Sequence, residues 1–133
     1  MIYTLDNPKL VDCFCCFQDK ETFTGIAKNK NNDIAYYLNG KCHREDGPAC
    51  EFADGDKQWW LNGTLHRTDG PAIERGNGDK GWYLNGKRHR EDGPSLELFD
   101  GYKSWYLNDK FYGCNDDYTN ESWIRFTKLR LLK

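Results

Sequence analysis

From residue 36 onward, apolar residues come in short runs that alternate with polar ones and end on turn-forming pairs. Tyr36-Tyr37-Leu38, Trp59-Trp60-Leu61, Trp82-Tyr83-Leu84 and Trp105-Tyr106-Leu107 stand 23 residues apart. Asn-Gly follows the first three runs and Asn108-Asp109 the fourth. A second element keeps step: His43-Arg44-Glu45-Asp46-Gly47-Pro48, His66-Arg67-Thr68-Asp69-Gly70-Pro71 and His89-Arg90-Glu91-Asp92-Gly93-Pro94. So does a third, Glu51 with Lys57, Glu74 with Lys80 and Glu97 with Lys103. Fixed-period self-similarity marks an array of units that pack on their neighbours.

The turns set a register. Asn39-Gly40, Asn62-Gly63 and Asn85-Gly86 suit two-residue hairpin loops, because both residues tolerate positive φ. At Asn62-Gly63 such a loop places Leu61 opposite Thr64, Trp60 opposite Leu65 and Trp59 opposite His66. Ala53-Asp54-Gly55, Gly76-Asn77-Gly78 and Phe99-Asp100-Gly101 suit three-residue loops with the closing Gly in a G1 bulge. These place Glu51 opposite Lys57 and Ala49 opposite Trp59, with Ala72–Trp82 and Ser95–Trp105 following in step. Opposite charges and a small residue beside each Trp favour that pairing by about 0.2–1 kcal/mol apiece. Asp-Gly-Pro lacks a donor and a packing side chain, so it predicts a bend after each short strand.

Alternation sorts two faces. One carries Tyr36, Trp59, Trp82 and Trp105 beside His43, His66, His89 and Tyr112. The other carries Tyr37, Trp60, Tyr83 and Tyr106 with Cys50, Ile73, Leu96, Cys42, Leu65 and Phe111, and its more apolar make-up predicts the deeper burial. The expected fold is mainly β: an elongated antiparallel sheet of tandem 23-residue β-hairpin repeats, with short capping helices at one or both ends. One domain over 1–133 divides into an N-terminal cap and degenerate first hairpin (1–33), repeats (34–112) and a C-terminal capping helix (113–133).

The ends differ from the repeats, as array caps must. Asn7-Pro8 suits a helix start, and Leu10, Cys13, Phe14 and Phe17 at helical spacing predict a short helix over 8–19, with a strand over residues 10–17 as the other reading. Residues 22–38 read as a degenerate hairpin turning at Asn29-Lys30-Asn31-Asn32. Thr119 or Asn120 suits a helix cap with Glu121 in the first turn, and Trp123, Ile124, Phe126, Thr127, Leu129 and Leu131 supply apolar surface. Lys128, Arg130 and Lys133 suit the C-terminal dipole.

Composition narrows the function. Charged residues make up 30% and net charge is −2, so no global field attracts nucleic acid or an acidic membrane. The first residues have neither a basic nor an apolar region of the kind a signal peptide needs. No stretch approaches the roughly 18–20 apolar residues that span a bilayer. A cytoplasmic location with reduced thiols is therefore expected for Cys13, Cys15, Cys16, Cys42, Cys50 and Cys114. Cys13-Phe14-Cys15-Cys16 lacks zinc-type spacing and a second ligand pair, so neither metal nor cofactor is expected.

The repeat resembles the MORN family in a variant form. The 23-residue period, the aromatic strand, the turn Gly and the Gly-Lys-x-His runs at 40–43 and 86–89 carry the likeness over residues 34–112. The Tyr-Leu-Asn-Gly-Lys-x-His-Arg-x-Asp-Gly-Pro signature is similar to repeats of bacteriophage and large-virus proteins. The resemblance implies a scaffold of hairpins used for binding or assembly, in a virus-encoded protein acting on a host or defence protein.

The candidate binding residues are His43, Arg44, Asp46, His66, Arg67, Asp69, His89, Arg90 and Asp92, with the aromatic column Tyr36, Trp59, Trp82 and Trp105. Imidazoles and guanidiniums in a row suit phosphate or carboxylate recognition. Against this, each Asp suits a backbone bond in its turn while holding the His or Arg of a neighbouring unit. No phosphate loop, nucleophile elbow or metal-binding helix motif is present, and a site repeated once per unit is unlike a catalytic centre. The leading expectation is a non-enzymatic scaffold for a protein partner. A ligand or nucleic-acid binder using the His/Arg ladder, a hydrolase using a His–Asp pair and a homo-oligomer are the alternatives.

Overall fold

The computed structural model describes residues 2–14, 17 and 19–131. It is mainly β, a long sheet built from hairpins and closed by one C-terminal helix. The two turn types form as their residues dictate. Asn62 and Gly63 have φ of 50° and 80°, and Asn85 and Gly86 of 51° and 80°, the positive pair that a two-residue turn demands. Trp60 then pairs with Leu65 and Leu61 with Thr64. The three-residue loops pair Glu51 with Lys57, Glu74 with Lys80 and Glu97 with Lys103. The register read from the turns is the register observed.

Successive hairpins join edge to edge. Lys57 pairs with Glu74 and Gln58 with Ile73, and one period later Lys80 pairs with Glu97 and Gly81 with Leu96. Each unit thus adds two strands to one continuous antiparallel sheet.

The strands that carry Trp59 and Trp82 divide at those residues, whereas Ile34–Leu38 and Lys103–Leu107 run unbroken through Tyr36 and Trp105. The Trp59 N–H donates to Ala72 O at 2.8 Å within the broad sheet, while the Trp59 C=O accepts from His66 N at 3.0 Å within the Asn-Gly hairpin. Trp82 repeats this with Ser95 and His89. Lys57–Gln58 therefore belongs to the broad sheet, and Trp60–Leu61 to a separate two-stranded hairpin. These hairpins hold one another through Gly63 N to Cys42 O and Gly86 N to Leu65 O, at 2.9 and 2.8 Å. The small residue hydrogen-bonded to each aromatic comes from the following unit: Ala49 for Tyr36, Ala72 for Trp59, Ser95 for Trp82.

Burial follows position along the array rather than face. Tyr37 and Cys50 are buried, but Trp60, Tyr83 and Tyr106 on the same face are half-buried and Phe111 is exposed. On the opposite face Trp105 is 1% exposed while Trp59 and Trp82 are half-buried. The face expected to lie deeper is not deeper, because among the described residues no second layer covers the sheet and the caps lie at its ends.

At the N-terminal end the expected helix is replaced, over the described residues, by the strand Lys9–Leu10, which pairs parallel with Gly25–Lys28. A short 3-10 turn, Lys20–Thr22, follows. The edge strand Gly25–Lys28 offers unpaired backbone groups, and meeting them outweighs the helical spacing of Leu10, Cys13, Phe14 and Phe17. Val11, Phe14, Phe17 and Phe23 pack over Tyr37. The degenerate hairpin forms as expected, Gly25–Lys28 against Ile34–Leu38.

At the other end the helix Asn120–Leu131 starts later than residue 113, after the strand Lys110–Cys114 and a 3-10 turn. Thr119 caps it: Ser122 N donates to Thr119 Oγ1 at 3.1 Å, and Thr119 N to Ser122 Oγ at 2.9 Å. None of the described helices is long and apolar enough to cross a membrane.

Cys13 is disulfide-bonded, against the expectation of reduced thiols, which came from the lack of an export signal and fixes no sulfur geometry. Cys42, Cys50 and Cys114 are free thiols. Cys15, Cys16 and Lys133 lie outside the described residues.

Candidate functional site

The repeated His-Arg-x-Asp-Gly-Pro segment builds one face of the array, and its side chains are held by three sets of contacts. Arg67 lies flat on the Trp59 ring, its Cζ 3.8 Å from the centroid. Arg90 stacks on Trp82 at 3.9 Å and Arg44 on Tyr36 at 4.1 Å. Each Nε donates to the Asp two residues on, at 2.8–2.9 Å, and each Nη1 to the Pro carbonyl four residues on. Arg67 and Arg90 add Glu74 and Glu97 at 3.3 and 3.4 Å. On its outer side the guanidinium meets glycine: a Cβ at Gly70 would sit 2.9 Å from Arg67 Cζ, and one at Gly93 2.7 Å from Arg90 Cζ. The guanidinium thus contacts both ring and glycine and leaves no room for a Cβ, which explains Gly between Asp and Pro.

The imidazoles act between units. Nδ1 of His43, His66 and His89 accepts from the backbone N–H of Asn62, Asn85 and Asn108, at 2.9, 3.0 and 3.1 Å. Each histidine thus holds the next hairpin, and an accepting Nδ1 leaves the proton of a neutral ring on Nε2. Nε2 points to Glu45 at 3.6 Å in one unit and Glu91 at 3.3 Å in another. The Arg–Asp pair closes inside a unit, contrary to the expectation that Asp reaches across, and His alone makes the crossing. The carboxyls of Asp46 and Asp69 lie below the usual range, first through the hydrogen bond from Arg44 and Arg67 and then through their charge.

A second ladder escaped the reading of the sequence. Asp33, Asp56 and Asp79 each accept a backbone N–H from the next unit, at Ala53, Gly76 and Phe99, all at 2.8 Å. Their 23-residue spacing was the available signal. Asp109, where earlier units have Gly, takes φ of 69° and binds both the N–H and Nε of Arg88, at 2.9 and 3.0 Å.

Between the stacks lie two matching grooves. One, of about 480 Å³, runs between Arg44 and Arg67 over Trp59 and Leu61. The next, of about 470 Å³, runs between Arg67 and Arg90 over Trp82 and Leu84. Glu45, Asp46 and Asp69 rim the first, and Asp69, Glu91 and Asp92 the second. A third of about 390 Å³ is closed by the C-terminal helix and brings in Lys110, Tyr112 and Arg130. The candidate residues are therefore gathered on one face, except that Trp105 is sealed beneath Trp123 and Tyr118, with ring centroids at 5.4 and 5.6 Å.

Among the described residues, no group of three or more His, Cys, Asp or Glu side chains is placed to hold a metal ion. Comparison with protein-family models, curated proteins and solved structures found no match to this chain.

Proposed function

We propose that this chain is a non-catalytic repeat scaffold that docks another protein along the groove face. The observation that carries this reading is the pair of near-identical grooves one period apart, whose walls are already fixed by internal bonds. A preorganised surface orders little on binding, which favours recognition. The non-catalytic part rests on the imidazoles. With Nδ1 accepting a backbone N–H and Nε2 protonated, a histidine here has no free nitrogen to act as a base. The anion-binding alternative is weakened in the same way, since Nε and Nη1 of each arginine are engaged within the chain. The resemblance to viral repeat proteins makes a host or defence protein the first partner class to examine.

Thr68 lines both grooves and is exposed, and it belongs to neither ladder. Thr68→Trp should fill them while leaving the fold and thermal midpoint unchanged. Affinity capture from host extract is expected to recover one protein near stoichiometrically with the unaltered chain and to lose it with the variant. Capture of nothing specific, or equal capture by both, would overturn the reading.

A further inference from the structure

Resting on the docking reading above, we propose that the occupant of the grooves is a polyproline-II segment with a basic side chain at every third residue. Three features of the face converge on this chemistry.

The first is spacing. Each unit adds two strands to the sheet, and strands lie about 4.8 Å apart, so equivalent points on neighbouring grooves are about 9.6 Å apart. A polyproline-II helix rises about 3.1 Å per residue with three residues per turn, so residues i and i+3 point the same way about 9.3 Å apart. A β-strand alternates its side chains and turns every third one to the opposite face. Three residues of α-helix rise only about 4.5 Å.

The second is the floor. Trp59 with Leu61, and Trp82 with Leu84, give each groove an aromatic and an aliphatic side chain. Proline-rich segments dock on such aromatic-lined grooves, and their preformed conformation lowers the ordering cost.

The third is charge. In each groove three carboxylates stand against two guanidiniums. Asp46, Asp69 and Asp92 are paired with those guanidiniums while 86%, 83% and 76% exposed, and each groove adds one carboxylate paired with a histidine rather than an arginine, Glu45 in the first and Glu91 in the second, 83% and 48% exposed. The valence left for a partner is negative, so the side chain that enters is a cation. Lys110 and Arg130 reverse this in the third groove, which limits the basic pair to two positions.

The test uses the full chain and dye-labelled octapeptides read by fluorescence anisotropy. Pro-Pro-Arg-Pro-Pro-Arg-Pro-Pro presents arginines at i and i+3, and Pro-Pro-Arg-Pro-Arg-Pro-Pro-Pro presents them at i and i+2. A third peptide carries glutamate at i and i+3. The first should bind about tenfold more tightly than the second, with the third not binding, because only one spacing satisfies both rims. Asp69→Asn, which keeps the oxygen that receives Arg67 Nε but removes a charge shared by both grooves, should weaken the first peptide about fivefold, and Glu91→Gln should act in the same direction. Equal affinity for the two arginine spacings, binding of the glutamate peptide, or no binding of any peptide at millimolar concentration would overturn the proposal. Protein capture sensitive to Thr68→Trp would then still stand and preserve the docking reading, whereas its loss as well would remove both.

Discussion

Trp82 and Trp105 occupy equivalent places one period apart, yet they are finished differently. Trp82 is half-buried, with a guanidinium laid on one face by Arg90. One period after Arg90 stands Gly113, so Trp105 has no such lid and the helix supplies Trp123 instead. Trp123 is fully buried, and its Nε1 donates to Arg90 O at 2.7 Å. The comparison shows two ways of stabilising one aromatic column. Inside the array, a charged lid and a histidine handed to the next unit suffice without a core. At the end, where no further unit arrives, a local core of Trp105, Tyr112, Tyr118, Trp123 and Phe126 takes over.

Removing the two kinds of lid should separate them most sharply. Trp123→Ala deletes a fully buried side chain and its hydrogen bond, and should cost about 3–5 kcal/mol in urea unfolding. Arg67→Ala, at the interior stack, should cost about 1–3 kcal/mol, since it removes a cation–π contact and charge-assisted hydrogen bonds at a site 20% exposed. Arg67→Lys should recover little of that loss, because an ammonium has neither the flat face nor the fork. Equal costs for the two alanine variants would erase the distinction.

A finer cut tests the contact between guanidinium and glycine. Gly70→Ala places a Cβ 2.9 Å from Arg67 Cζ, so the guanidinium must slide off Trp59, at about 1 kcal/mol. The Arg67→Ala/Gly70→Ala double variant should lose no more than Arg67→Ala alone, because the clash has gone.

The smallest effect is in pH. Asp46 and Asp69 have folded values below the ordinary carboxylate range, so their contribution is complete above the unfolded value of about 3.9 and is lost as pH falls through the folded one. Their share of the urea midpoint should stay level from pH 7 to about 5 and decline below about pH 4. In Arg67→Ala the Asp69 share of that decline should vanish.

Much of this fold could be read from the chain because its turns are explicit. Asn62-Gly63 and Ala53-Asp54-Gly55 set loop lengths, and loop length sets register, so the pairs Trp60–Leu65 and Glu51–Lys57 followed. The division of each strand at Trp59 or Trp82 was hidden, because it depends on which neighbour takes each backbone group. A local pattern does not encode that choice. The N-terminal segment misled for a related reason: Lys9–Leu10 is a strand only because Gly25–Lys28 offers it an edge. At the candidate site the sequence singled out residues that the fold gathers largely on one face, and left their role divided. Arg67 could only be recognised as a lid, and His66 as a clasp, once Trp59 and Asn85 were placed beside them.

The central claim is that the histidines tie unit to unit and are not free to react. Long-range proton–nitrogen correlation NMR of the imidazoles at about pH 8, above the ordinary histidine range, tests it most directly. A fixed Nε2–H tautomer is expected for His43, His66 and His89, each with an unprotonated Nδ1 receiving a backbone N–H. Rings that carry the proton on Nδ1, or that exchange between tautomers, would contradict it.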